Sequence, residues 1–115
     1  MTVASQSNTL SNISYIFIKT AKRLVRIDLE NLLYVETIGD YVLFKTVDDQ
    51  YIVHSSLKNI VSKLNHPYFL KVHRSFIVNV SKIFDIEENT LVIEKKVIPI
   101  SRANRPHLMQ KINLI

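Results

Sequence analysis

Four histidines, the cations Lys71 and Arg74 beside one of them, and Arg102 and Arg105 near the C-terminus are the side chains here best equipped for chemistry. The histidines stand at 54, 66, 73 and 107, so no two share the i, i+4 spacing that places a pair of imidazoles on one helical face. Cysteine is absent, which removes thiolate ligands, disulfides and cysteine nucleophiles together. No metal site and no cofactor are expected. Ser75 near His73 raises the idea of a nucleophile and its base, yet no G-x-S-x-G elbow is present, and one glycine cannot build a phosphate-cradling loop. We therefore expect no enzyme. What remains is cationic hydrogen-bond donation: an arginine can grip a phosphate or make two parallel bonds to guanine O6 and N7.

The segment FLKVHRSFIVNV sets a geometric question. Leu70, Val72, Phe76 and Val78 share one parity, and an unbroken strand would put Arg74 on the same apolar face. An unpaired arginine is rarely buried there. Either the strand breaks or bulges near His73 to Ser75 and turns Arg74 outward, or Arg74 is buried against an acid such as Asp85 or Glu36. The break is the expectation, because bulges and strand ends commonly aim functional side chains. Lys71 adds charge nearby, and His73 is suited to a local hydrogen bond or a phosphate contact. A second basic point is PISRANRP, where Arg102 and Arg105 flank a helix start whose free backbone N–H groups favour an anion; a merely solvated helix end is the competing reading.

The elements that must position these groups are mostly strands. ISYIFIKT, RLVRID, LLYVET, YVLFKTV and QYIVHS, then YFLKVH, SFIVN, KIFDIE, TLVIE and VIPI, are short and rich in β-branched and aromatic residues. Gly39-Asp40, Asp48-Asp49, Glu88-Asn89 and Lys95-Lys96 are the turns between them, the last lacking residues that adopt positive φ easily. Leu57, Ile60, Val61 and Leu64 mark one face of a short helix, with Ser55 or Ser56 as N-cap and Pro67 beyond its end. Leu108, Met109 and Ile112 predict a closing helix that starts about Asn104 or Arg105, where Pro106 is tolerated. The expected fold class is mostly β: about ten short strands in small sheets with one or two short helices.

At 115 residues the chain fits one domain, with 47% hydrophobic and 22% charged residues as in ordinary globular proteins. No apolar run approaches the ~20 residues of a spanning helix, and MTVASQSNTLSN lacks the pattern of a secretory signal. Residues 1–12 read as a polar tether, 13–115 as the domain, and the cytoplasm as its location. The formal net charge is +5. Residues 1–70 carry seven basic and six acidic side chains and residues 71–115 eight and four, so a polyanion would meet the C-terminal half first.

Phe69-Leu70-Lys71-Val72-His73-Arg74-Ser75-Phe76-Ile77-Val78-Asn79, followed by Ile100-Ser101-Arg102, resembles the LytTR DNA-binding domain of bacterial response regulators. Leu33-Tyr34-Val35-Glu36, Gly39-Asp40-Tyr41-Val42 and Ser56-Leu57 extend the likeness upstream, so that it spans residue 13 to the end. The resemblance implies a ten-stranded β fold that approaches duplex DNA edge-on and inserts loops into successive major grooves. It implies contacts from the Gly39-Asp40-Tyr41 loop, from Arg74 after the motif histidine, and from the stretch after Ser101, which holds Arg102, Asn104 and Arg105. Lys71, His73 and Ser75 support the second of these. Asp40 would have to accept from a cytosine amine or merely support its loop. Tyr41 is expected to be a core residue of the next strand rather than a contact, and Asn79 a turn-forming structural residue. The family likeness further implies sequence-specific binding as a transcriptional output domain, two copies on repeated half-sites, a homodimer on DNA, and an upstream receiver domain not in this chain. A basic β module that binds single-stranded RNA or a protein partner is the alternative; Tyr15, Tyr41, Tyr51 and Tyr68 are its stacking candidates.

Overall fold

Runs such as LLYV, YVLF and FIVN are apolar at consecutive positions, the pattern of strands covered on both faces, and they form the middle of the molecule. The structure is a computed structural model describing residues 13–115; the expected tether, 1–12, lies outside the described residues. Strands β3 (Leu32–Ile38), β4 (Tyr41–Thr46), β5 (Gln50–Val53), β6 (Phe69–His73) and β7 (Phe76–Asn79) make one antiparallel sheet in the order β5-β4-β3-β7-β6. Strands β1 (Tyr15–Lys19) and β2 (Leu24–Asp28) form a hairpin, and β8 (Asp85–Ile86), β9 (Thr90–Ile93) and β10 (Lys96–Pro99) a three-stranded sheet ordered β10-β9-β8. Helices α1 (Leu57–Lys63) and α2 (Arg105–Lys111) complete the described chain. Ten strands in three small sheets with two helices match the fold class read from the sequence.

The central sheet divides the core in two. On one face Val35, Val42, Phe44 and Ile77 pack with Ile18, Val25 and Ile27 of the hairpin and with Leu57 and Leu64 around α1. On the other, Leu43, Val72, Phe76 and Val78 meet Leu91, Ile93 and Ile98 of the small sheet and Leu108 of α2. Period-two alternation within β4 and β7 delivers successive side chains to opposite layers. A register irregularity between Leu32 and Tyr34 lets Leu33 and Tyr34 both serve the second layer.

Asn79 ties the strands to what precedes them. Only 2% exposed, it donates through Nδ2 to the Leu32 carbonyl at 2.9 Å and the Leu29 carbonyl at 3.4 Å. Its Oδ1 accepts from the Ser81 N–H at 3.0 Å and the Ser81 hydroxyl at 2.7 Å. The structural role expected for it is the one its contacts describe.

Local expectations needed revision at four places. Val61 is 41% exposed, because a seven-residue helix lying on the sheet needs only Leu57, Ile60 and the C-capping Leu64 to make its contact. The last hairpin turns at Glu94-Lys95 and not Lys95-Lys96: Ile93 pairs with Lys96, and Glu94 takes the left-handed conformation at φ 54°. Strand β8 keeps only two residues, since Val80–Lys82 form a 3₁₀ turn capped by Asn79, and Phe84 stands 80% exposed. Tyr41, expected in the core, is 46% exposed at the first position of β4, its ring 5.0 Å from that of His54.

Candidate nucleic-acid interface

The parity conflict at Arg74 is resolved by a hairpin. Leu70, Val72, Phe76 and Val78 do share the face toward the small sheet, and the chain reverses between them, with His73 opposite Phe76 and a two-residue turn of Arg74 and Ser75. Pairing is already irregular between Lys71 and His73. Arg74 is thereby exposed. The acids considered as buried partners are engaged elsewhere or remote from such a role: Glu36 meets Lys96 at 3.6 Å, and Asp85 is exposed on β8.

Three segments converge on this edge. The Ser75 carbonyl accepts from the Thr37 N–H at 2.9 Å, which ties the β6–β7 turn to β3 just before Gly39-Asp40. That second turn spans two residues between paired Ile38 and Tyr41, with Gly39 at φ 59°. The Val72 carbonyl accepts from the Ser101 N–H at 2.8 Å, which draws the β10–α2 junction alongside β6. A shallow groove of about 580 Å³ runs between the two turns, walled by Gly39, Asp40, His54, Lys58, Lys71 and Arg74. Lys71 also borders a smaller depression with Asn104 and His107. Among the described residues, Lys58, Lys71, Arg74 and Arg102 have no acidic partner within salt-bridge distance. The groove therefore carries three cations without a salt-bridge partner, Lys58, Lys71 and Arg74, and one carboxylate, Asp40, with Arg102 exposed on the junction bonded to Val72.

The expected site residues fare differently in detail. Arg102 is exposed in the turn after Ser101. Asn104 is held within the chain, its Nδ2 donating to Ser101 Oγ at 2.6 Å and its N–H to the Ser101 carbonyl at 3.1 Å. Arg105 is half-buried, and its Nη1 donates to the Glu87 and Glu88 carbonyls at 2.8 and 2.7 Å, clamping the β8–β9 turn. The free helix-start amides expected there are largely used: Asn104 and Arg105 N–H both reach Ser101, and Pro106 has none. His73 makes a local bond, its Nδ1 accepting from the Ser75 N–H at 3.1 Å.

His54 and Lys58 were not read from the sequence as part of this surface. Their signal was the pairing of β5 with β4: Val53 lies opposite Val42, so the residues after β5 fall beside the Gly39-Asp40 turn, and α1 starts there under its Ser56 cap. No cluster of three or more metal-ligating side chains exists among the described residues, and no described helix is long and apolar enough to cross a membrane.

Residues 22–113 match the family model of the LytTr DNA-binding domain. The chain is 30% identical over 97 residues to the sensory transduction protein LytT of Bacillus anthracis, an alignment covering 79% of this chain and 39% of that protein. It is 27% identical over 118 aligned positions to LytT of Bacillus subtilis, covering 97% of this chain and 49% of that one. The heme-containing CO-sensing transcriptional regulator RcoM 1 of Paraburkholderia xenovorans is 25% identical over 100 residues, 81% of this chain and 38% of the regulator. The chain thus spans less than half the length of these curated relatives. Its fold superposes on the LytTr DNA-binding domain of a Bacillus cereus response regulator with a TM-score of 0.74 at 21% identity, over 90% of this chain and all of the other.

Proposed function

The chain belongs to the LytTr DNA-binding domain family, whose role is DNA binding in transcription regulation, and from that premise we propose that it reads duplex DNA sequence-specifically through its loops. The observation that carries this reading is the convergence of the Arg74 turn, the Gly39-Asp40 turn and the Arg102 junction on one unneutralised edge. Lys58, Lys71 and Arg102 set register on the phosphates, and Arg74 enters the major groove as a bidentate donor to guanine. Asn104 and Arg105 support the junction, and Tyr41, exposed beside Asp40, joins the contact surface. One such edge is a small footprint, so two copies act on half-sites about a helical turn apart, in the cytoplasm, under an upstream receiver domain.

The test is selection of bound duplexes from a random pool at fixed salt, followed by titration of Arg74→Ala and Lys71→Ala on selected and scrambled DNA. Arg74→Ala is expected to lose about 1 to 3 kcal/mol at one base position, whereas Lys71→Ala weakens all sequences alike and lowers the salt slope by about one. Equal losses on selected and scrambled DNA for Arg74→Ala would remove its reader role. Tight binding to single strands with no preference for duplex would favour the RNA-binding alternative.

A further inference from the structure

We propose that His73 is a positioning residue for Arg74: its neutral imidazole, protonated on Nε2, holds the Arg74-Ser75 turn through Nδ1 and fixes the direction in which Arg74 leaves the sheet edge. This rests on the reader role of Arg74 proposed above. Ser75 contributes a backbone N–H, so the atom facing it at 3.1 Å must offer a lone pair, and in a neutral imidazole the proton then sits on the other nitrogen. The ladder is irregular between Lys71 and His73. The pair His73 and Phe76 closes the turn without a regular ladder behind it on β6, and the side-chain acceptor adds a second constraint inside the turn. The Ser75 carbonyl is bound in turn by the Thr37 N–H at 2.9 Å. Both backbone polar groups of Ser75 are thus fixed, while Arg74 beside it keeps an exposed side chain. The His73 ring is half-buried, its centroid 6.2 Å from that of Phe76, which steadies the acceptor itself.

The same device recurs in this chain with another side chain. His66 Nδ1 accepts from the Tyr68 N–H at 3.2 Å, and Asn79 Oδ1 accepts from the Ser81 N–H at 3.0 Å. Asparagine therefore satisfies an i+2 amide here as histidine does, because its Oδ1 occupies the place of Nδ1. Glutamine carries its amide one atom further out, at the place of Nε2. The pair separates holding the turn from touching DNA directly through Nε2–H.

The experiment compares wild type, His73→Ala, His73→Asn, His73→Gln, Arg74→Ala and the double variant His73→Ala/Arg74→Ala on selected and scrambled duplex, with the free protein's imidazole nitrogens observed by ¹⁵N NMR. Expected is a loss of discrimination of about tenfold or more for His73→Ala, the scale of one bidentate contact, with no further loss in the double variant beyond Arg74→Ala. His73→Asn restores most of it and His73→Gln does not, and the wild-type ring shows the Nε2–H tautomer. Rescue by glutamine instead of asparagine, or an Nδ1–H tautomer, overturns the proposal. Should His73→Ala fail to fold, the asparagine and glutamine variants and the wild-type tautomer still decide it. Should Arg74→Ala keep full discrimination, the reader role of Arg74 falls alone. Protection of the Ser75 amide from exchange, lost in His73→Ala and regained in His73→Asn, then supports the turn-holding role, and unchanged protection refutes it.

Discussion

Replacing Asn79 separates structural from reading roles within the very run of residues that resembles a DNA-contacting motif. Asn79→Ala removes the Nδ2 donor that reaches the Leu32 carbonyl at 2.9 Å, in a backbone segment where Leu32 is fully buried. Leaving that carbonyl short of a partner costs about 1 to 3 kcal/mol. The Ser81 N–H and hydroxyl lose their acceptor too, but Ser81 is exposed and water replaces it, so losing this 3₁₀ cap adds only about 0.5 to 1 kcal/mol. The expected total is about 3 kcal/mol, which for a domain of this size lowers the melting midpoint by roughly 10 °C. Asn79→Asp sharpens the test. It keeps the acceptor for Ser81 yet turns a second oxygen toward the Leu29 and Leu32 carbonyls, so near pH 7 it should destabilise at least as much as alanine despite its matching shape. Urea unfolding followed by circular dichroism gives the stabilities, and duplex titration at a temperature where each variant is folded gives the binding. An Asn79→Ala protein within about 1 kcal/mol of wild type that nonetheless loses DNA affinity when folded would refute the reasoning and make Asn79 a contact.

Three further outcomes are expected. Gly39→Ala should cost about 1 kcal/mol through backbone strain at φ 59° alone, since a Cβ there meets nothing within 4 Å, and Gly39→Asn should cost less; equal melting points for glycine and alanine would contradict this. Arg105→Ala should lower stability by about 1 kcal/mol by releasing the Glu87 and Glu88 carbonyls while leaving the salt slope of DNA binding unchanged, whereas a slope reduced by about one would mark a phosphate contact. Burial lowers the His66 pKa below its ordinary 6.5, so the unfolded chain takes up the proton first. That contribution to stability is whole above 6.5, falls as pH drops through it and levels off below the depressed folded value. Unfolding midpoints at pH 7 and pH 5 should accordingly differ more in wild type than in His66→Asn, and identical differences would remove the assignment.

The strands and α1 were legible because their cause is local. Period-two alternation, a Ser56 cap and a Gly39-Asp40 pair act over a few residues, and the structure realises each of them. The break at Arg74 was legible for a related reason: parity makes an arginine on an apolar face costly, whatever the rest of the chain does. Glu94 adopting positive φ was not, because nothing in the local chemistry of glutamate favours it and the pairing of Ile93 with Lys96 imposes it. Tyr41 misled in the same way. A tyrosine heading an apolar strand reads as core, but the sheet end at which it stands is left uncovered, and its ring meets His54 instead of the layers. Arg105 and Asn104 looked like free donors because the carbonyls and hydroxyl that occupy them belong partly to residues far back in the chain.

What the sequence could not convey is how the three segments of the edge are joined. Thr37 N–H to Ser75 carbonyl and Ser101 N–H to Val72 carbonyl are bonds between backbone atoms. No side-chain substitution in the turns deletes either of them, proline at the two donor positions excepted. The side chains they carry, Asp40, Arg74 and Arg102, are exposed and make no packing contribution that fixes their identity. Stability and presentation are therefore carried by one set of atoms and the proposed reading by another. Under that reading, exchanging Arg74 or Arg102 for other polar residues should change which duplex is preferred while leaving the melting point within about 0.5 kcal/mol of wild type, the usual range for exposed positions. His73 is the exception on this edge under that reading, because its side chain adds a bond to the turn that its backbone pairing with Phe76 closes. Substitution there should move discrimination and local turn order together, which no other exposed or half-exposed residue of the β6–β7 turn is placed to do.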